Sequence, residues 1–296
     1  MPVGLAAAAL TLLLVPRTPA RIGHRSELDL AGALTVTAGL VTVVYAMDGA
    51  AANGWGSART LGLLGVSAAL LAAFVAIERS VKGPLVPPAT WRLRSLVSSA
   101  AVMLGASGIL IGSFFLNSLY LQDVLNASAL ETGLAFLPFA LVIGLAAHLG
   151  SHALQHAGPR AVVVGGLALS AGGAVLLAMA PERASYAADL LPGLLMMGGG
   201  IGLVFVTVSV TAMADVGRDD AGLAAGLMQT GHEVGAALGV AVMSTVATTA
   251  GAGATLAAGY QDGFIAAAVI AGVLALLALV SVPVARPTGT ARLAAH

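Results

Sequence analysis

The chain has 296 residues, of which 58% are hydrophobic and only 9% are charged. An average soluble domain contains about 25% charged residues, so this composition excludes a soluble globular protein, whose surface needs more charge than is present. The net charge is zero and there is no cysteine. Nothing therefore points to nucleic acid as a partner, and disulfides and thiolate metal sites are excluded.

The charge-free intervals of the chain predict transmembrane helices. A membrane-spanning helix needs about 20 mostly apolar residues, because the hydrocarbon core is about 30 Å thick and a helix rises about 1.5 Å per residue. The runs are continuous, whereas barrel strands alternate polar and apolar residues, so we predict an all-α polytopic membrane protein. Nine helices are expected, within residues 1–16, 30–47, 60–77, 95–122, 132–159, 161–181, 190–214, 221–261 and 263–285.

The basic residues of the loops predict an orientation. With nine helices the loops alternate between the two sides of the membrane, and one side receives eleven of the 13 lysines and arginines. The other side receives only Arg59 and Arg183. Basic residues gather on the cytoplasmic side, so we expect the C-terminal tail, residues 286–296, to be cytoplasmic and residue 1 to be extracytoplasmic. A multi-pass protein of the cell (plasma) membrane is predicted.

The loops also group the helices as one, two and six. Residues 1–16 form an apolar run without a basic segment before it, which is a poor match to a signal peptide. We interpret this run as a helix whose preceding part is missing. Residues 17–94 contain two basic loops around a helix pair, and residues 95–285 contain six helices with short connections.

Three segments carry a resemblance to a known family. They are FFLNSLYLQDVLNASALETGLAFLPFAL (114–141), LLPGLLMMGGGIGLVFV (190–206) and AGLAAGLMQTGHEVGAALGVAV (221–242). Their order resembles the fourteen-helix drug:proton antiporters of the major facilitator superfamily, in which two six-helix bundles flank an extra helix pair. The resemblance implies that residues 1–16 are the last helix of a truncated first bundle. It further implies that 17–94 contain the extra pair and 95–285 the second bundle.

The family's best-known motifs would lie upstream of this chain. A weaker echo of one of them occurs in SHALQHAGPR (151–160), where Gly158 and Arg160 fit the pattern. Ser151 and Gln155 depart from it. No gating salt bridge is therefore assigned to this loop.

Glu233 is the sharpest candidate for a functional residue. It lies near the middle of a predicted helix, where a charge costs roughly 2.5–3.5 kcal/mol on insertion scales, so we expect it to face a cavity or the bundle interior. Gln229 and Thr230 precede it by four and three residues and share its helix face. We interpret Glu233 as a site of proton coupling or cation binding, the alternative being a structural carboxyl. His232 points about 100° away and predicts either a proton relay through water or a plain interhelical hydrogen bond.

Glycines predict close helix packing. Gly231, Gly235 and Gly239 lie on the side of their helix opposite Glu233, where small residues let two backbones approach. Gly198 and Gly202 belong to the sequence GGGIG (198–202), which lies inside an apolar helix. No strand precedes it and no GKS/T follows, so it is not a phosphate-binding loop, and a packing role is predicted instead.

The remaining polar residues give weaker predictions. Asn117 is expected to face the cavity and Tyr120 to be an interfacial anchor. His148, His152 and His156 follow i, i+4, i+8 spacing at a helix end, which admits either a metal site or a solvated helix end. We favour the solvated end, because no carboxylate or cysteine lies near in sequence, and we predict no bound metal.

The leading hypothesis is secondary active transport. We expect proton-coupled export of small amphipathic compounds or drugs by alternating access between two bundles. The expected partners are the lipid bilayer, the substrate, protons and a missing N-terminal half. The alternatives are a non-transporting membrane interaction module or an inactive remnant of a transporter. No catalytic cluster lies at a shared depth, so neither an enzyme nor a cofactor is predicted.

Overall fold

The structure, a computed structural model, describes residues 29–81, 84–181, 184–217, 220–251 and 255–284. Within these ranges the regular structure is helical throughout, which agrees with the predicted all-α membrane protein. The first predicted helix, residues 1–16, and the tail 286–296 lie outside the described residues.

Nine helical segments follow one another in the described part of the chain. A short 3-10 turn at Thr90–Arg92 precedes the third of them, and π-helical turns lie at Tyr120–Val124 and Tyr186–Leu190. The segments are α1 (Leu30–Asn53), α2 (Ala58–Ser80), α3 (Arg94–Leu119), α4 (Ala129–Ala135), α5 (Leu137–Ala157), α6 (Pro159–Ala178), α7 (Leu191–Met213), α8 (Ala221–Gly251) and α9 (Leu256–Ser281).

In the ranges that the structure describes, seven spans are long and apolar enough to cross a membrane, when α4 and α5 are counted as the single span Ala129–Ala157. Among the described residues α8 is not one of these seven, although it has 31 residues. The predicted number of nine membrane helices is therefore not confirmed.

The predicted boundary between the last two helices is wrong. The interval 221–261 was expected to be one helix and 263–285 the next, but α8 ends at Gly251 and α9 begins at Leu256. The hydroxyl of Thr255 caps α9 by accepting a hydrogen bond from the amide of Ala258 at 3.3 Å. Asp262 thus lies inside the last helix, because a cap rather than a charge sets where that helix begins.

The helices pack into a bundle with an attached hairpin. Within the bundle α3 packs closely on α8, while α6 packs on both α7 and α9, and α5 packs on α7. Fully buried apolar side chains fill these contacts, among them Ile109, Leu167, Met197, Ile201 and Phe264. α1 and α2 pack against each other as a helical hairpin, and α1 also contacts α8.

Two tyrosines form hydrogen bonds that hold the loops at one end of the bundle. The hydroxyl of Tyr120 donates to the carbonyl of Pro181 at 3.1 Å, and the hydroxyl of Tyr260 donates to the carboxylate of Asp123 at 2.6 Å. Tyr120 is fully buried. The prediction that it is an interfacial anchor is therefore wrong, because the side chain turns inward to a loop carbonyl.

Candidate functional site

Glu233 lies in the middle of α8 with its side chain exposed. One turn earlier on the same face, the amide Nε2 of Gln229 donates to Oε1 of Glu233 at 2.7 Å. The 3.6-residue period of the helix makes this i, i+4 contact geometrically natural. The hydrogen bond orients the carboxylate and leaves its second oxygen open.

The carboxylate opens into a groove between α1 and α8, with a volume of about 710 Å³. The α8 side is polar around Gln229, Thr230 and Glu233, and the α1 side is apolar except for the phenol of Tyr45. The lining residues of α1 are Leu40, Val41, Val44 and Tyr45. A groove of this volume, with an acid on one side and an apolar wall on the other, suits a small molecule with an apolar body.

The wall formed by α1 could not be predicted from the sequence. Residues 40–45 and 226–234 are far apart in the chain, and no spacing rule relates them. Two features hold α1 in place: Ala46 and Ala50 are buried, and the indole of Trp55 donates to Oγ1 of Thr245 at 2.8 Å. Trp55 was the usable signal, since the indole N–H of a partly buried tryptophan usually finds a hydrogen-bond partner.

His232 faces a second pocket, of about 390 Å³, between α3, α7 and α8. Its Nδ1 lies 2.7 Å from Oγ of the fully buried Ser107 on α3, and its ring meets Phe205 edge-on with the centroids 5.8 Å apart. An interhelical hydrogen bond, one of the two predicted roles, is thus present. Gln229 lines this pocket as well as the Glu233 groove, so it is the side chain that both share.

The glycines on the opposite side of α8 face the backbone of α3. A methyl group on Gly235 would overlap the carbonyl oxygen of Leu104, and one on Gly239 would overlap the carbonyl oxygen of Gly108. On Gly231 it would lie 3.1 Å from the carbonyl oxygen of Ala100. The two helices therefore approach as closely as their backbones permit.

The glycines of α7 face α5 in a similar way. A methyl group on Gly198 would lie 2.8 Å from the ring of Phe139, and one on Gly202 would lie 2.6 Å from the carbonyl oxygen of Ile143. These close contacts fix α7, which carries Phe205 into the His232 pocket.

The other predicted site residues lie apart from this arrangement. Asn117 is fully buried, donates to the carbonyl of Ser113 at 2.9 Å and lines neither the groove nor the His232 pocket. The rings of His148 and His152 meet edge-on at 5.3 Å. Within the described ranges no group of three or more His, Cys, Asp or Glu side chains could hold a metal ion.

Known proteins resemble the chain over most of its length. A puromycin resistance protein of Streptomyces alboniger is 37% identical over 228 residues, which are 76% of this chain and 45% of the relative. A cephamycin export protein of Amycolatopsis lactamdurans is 32% identical over 294 residues, which are 97% of this chain and 60% of the relative. The chain thus spans about half the length of the curated relatives that it matches.

The family model described as the Major Facilitator Superfamily matches residues 1–240 and again residues 111–295. Together the two matches cover nearly the whole chain, and the multi-pass helical fold agrees with them. Membership of a transporter family also argues against an enzyme. The chain belongs to the major facilitator superfamily.

Proposed function

We propose that this chain is part of a secondary active transporter of the cell membrane that exports small amphipathic compounds in exchange for protons. The names of the relatives support the export part: they include resistance and export proteins for puromycin and cephamycin. The observation that carries the exchange part is the open carboxylate of Glu233 in a groove with an apolar wall.

The environment of Glu233 favours binding of a proton and of a ligand in turn at the same carboxylate. An ionised carboxyl at this depth is costly unless a proton, a cation or a donor compensates it. Gln229 supplies one donor to Oε1, and the second oxygen remains available to the groove. A proton and a ligand with a donating or cationic group would therefore compete for the same carboxylate, which is the coupling that exchange requires.

The pocket beside His232 extends the proposed binding region. Met103, Met213 and Met228 line it together with Phe205. Methionine side chains are flexible and adapt to apolar ligands of different shape. We assign the polar group of the substrate to the Glu233 side and its apolar body to these side chains, with Gln229 between them.

Alternating access requires a second half. In transporters of this kind the substrate site lies at mid-membrane between two bundles that rock against each other. The chain spans about half the length of its relatives, so we propose a further six-helix bundle as the partner of the face that exposes Glu233. The orientation proposed from the basic residues places the C-terminus in the cytoplasm.

The span of about half the relatives' length also favours a second candidate function, without transport. A chain that supplies one bundle and a helix pair can serve as a non-transporting membrane module, or it can be an inactive remnant of a transporter. Both alternatives predict insertion into the membrane without proton-dependent efflux.

Transport in energised vesicles separates these possibilities. The chain would be expressed alone and together with any in-frame sequence upstream, and dye accumulation would be measured in everted membrane vesicles with and without a protonophore. We expect protonophore-sensitive accumulation by the longer product. No gradient-dependent accumulation by either product would contradict the transporter proposal and favour the module or the remnant.

A further inference from the structure

A separate pocket lies where the end of α2 meets the segment before α3, and it has a volume of about 460 Å³. Its walls are mostly apolar, and two of the residues are strongly exposed: Trp91 by 61% and Val75 by 45%. The apolar lining consists of Phe74, Val75, Val86, Pro88 and Trp91. None of these residues lines the Glu233 groove or the His232 pocket.

Both carboxylate oxygens of Glu78, the acid in this pocket, already accept a hydrogen bond. Oε1 of Glu78 accepts a hydrogen bond from the amide of Leu85 at 2.9 Å, and Oε2 accepts one from the amide of Val86 at 3.0 Å. Both carboxylate oxygens thus hold the following segment against the end of α2. Glu78 forms one wall of the pocket, and its carboxylate makes no ion pair with a described cation.

The base in the pocket has no such partner. Arg79 lines the pocket, its side chain is exposed, and it makes no hydrogen bond or ion pair with another described residue. Arg92 and Arg94 follow Trp91 closely and are exposed too. The pocket therefore combines an apolar surface with unpaired positive charge, which is complementary to an amphiphile with an anionic head.

We propose that this pocket binds an anionic phospholipid of the cytoplasmic leaflet. Arg79 lies in the last turn of α2, a 23-residue helix long enough to cross the bilayer. We therefore assign its guanidinium to the level of the lipid phosphates. An exposed tryptophan at this level is typical of the membrane interface. The phosphate is assigned to Arg79, and an acyl chain to the surface formed by Val75 and Trp91. The leaflet follows from the orientation proposed above, and the inference does not depend on transport.

Fluorescence of Trp91 tests the proposal directly. The chain contains two tryptophans, so Trp55→Phe leaves Trp91 as the only source of tryptophan fluorescence in the chain. The full chain would be placed in phosphatidylcholine vesicles, which contain no tryptophan of their own, with a small fraction of brominated phosphatidylglycerol or, in parallel, brominated phosphatidylcholine. Arg79→Gln removes the proposed phosphate ligand. Arg59→Gln is the matched control, because Arg59 lies at the other end of α2 and donates to the hydroxyl of Tyr45 at 2.7 Å.

We expect half-maximal quenching at about a fivefold lower fraction of phosphatidylglycerol than of phosphatidylcholine, as one arginine near anionic lipid provides. Arg79→Gln should abolish this preference, and Arg59→Gln should keep it. Equal quenching by both lipids, or a preference that survives Arg79→Gln, would overturn the proposal. Loss of quenching on adding inorganic phosphate would also overturn it, since the ligand would then be free phosphate.

Trp55→Phe loses the hydrogen bond to Thr245, so this variant could fold poorly. A second measurement therefore uses no tryptophan substitution. Native mass spectrometry of the unaltered chain and of Arg79→Gln counts the lipids retained after purification with equal amounts of both phospholipids. The unaltered chain should retain phosphatidylglycerol in preference and the variant should not. Equal retention by both proteins contradicts the proposal.

Discussion

Glu233 is the residue on which the proposed exchange depends. Its neighbour Gln229 is neutral, so the hydrogen bond to Oε1 orients the carboxylate without cancelling its charge. His232 is adjacent in sequence but turns to Ser107 on α3 instead. The two titratable side chains thus face different pockets, and Glu233 alone meets the apolar wall of α1.

Glu233→Gln is expected to uncouple transport from the proton gradient. Glutamine keeps the shape and can still bond to Gln229, but it cannot take up and release a proton. In vesicles that contain the active product, gradient-driven dye accumulation should fall by about tenfold or more, since transfer through a positioned acid is lost. The amount of inserted protein should not fall, because removing a charge from mid-membrane relieves an insertion cost.

Glu131→Gln is the matched control for this variant. Glu131 is exposed and bonds to the amide and hydroxyl of Ser128 in a capping box, a role that glutamine also fills. Accumulation should therefore be unchanged. If Glu233→Gln retained the gradient dependence of the unaltered protein, Glu233 would have no part in coupling.

The sequence identified the polar side of the groove but not its apolar side. A carboxyl within an apolar run is visible without a structure, and helical periodicity assigns Gln229 and Thr230 to its face. Tyr45 and its neighbours on α1 carry no such signal, since a mid-helix apolar residue can face lipid or a site equally well. Asn117 illustrates the converse: its position predicted a cavity, whereas bundle packing buries it.

At the scale of elements, the pairing of α3 with α8 depends on glycines, which have no side chain to keep the two backbones apart. Gly235 and Gly239 meet carbonyl oxygens of Leu104 and Gly108, and backbone cannot move aside as a side chain can. Close approach of this kind supplies much of the association energy between membrane helices, which lack a hydrophobic driving force within lipid.

Gly235→Ala should therefore destabilise the bundle, while Gly226→Ala on the same helix should not. The added methyl on Gly235 overlaps a carbonyl oxygen and forces the helices apart, at a cost of about 1–3 kcal/mol. Gly226 has open space at the same position, so alanine should stabilise the helix by about 0.5–1 kcal/mol. Thermal unfolding in detergent, followed by size-exclusion chromatography, measures both shifts. Equal midpoints for the two variants would show that the close approach of α3 and α8 contributes nothing to stability.

Helix ends were harder to predict than helix existence. Charges at both ends of an interval located most helices, yet Asp262 lies within α9, where a charge was expected to mark a loop. The physical markers were instead the cap at Thr255 and the proline at 138, which separates α4 from α5. Both operate on backbone hydrogen bonds, which the hydropathy of an interval does not report.

At the scale of the whole molecule, the distribution of basic residues makes the orientation testable. Eleven of the 13 lie in loops assigned to one side, and that side also contains the proposed lipid site at Arg79. A helix missing from the predicted set would reverse the side of every later loop, so the orientation also tests the helix count.

Single cysteines provide that test, because the chain has no cysteine of its own. Ser185 and Gln155 are exposed polar residues at opposite ends of the bundle, so Ser185→Cys and Gln155→Cys should both be tolerated. In intact cells a membrane-impermeant maleimide should label Ser185→Cys and leave Gln155→Cys unlabelled. Permeabilised cells should give equal labelling of the two, which verifies that both thiols are accessible. The reverse pattern in intact cells would invert the topology, place Arg79 at the outer leaflet and remove the basis for its assignment to cytoplasmic phospholipid.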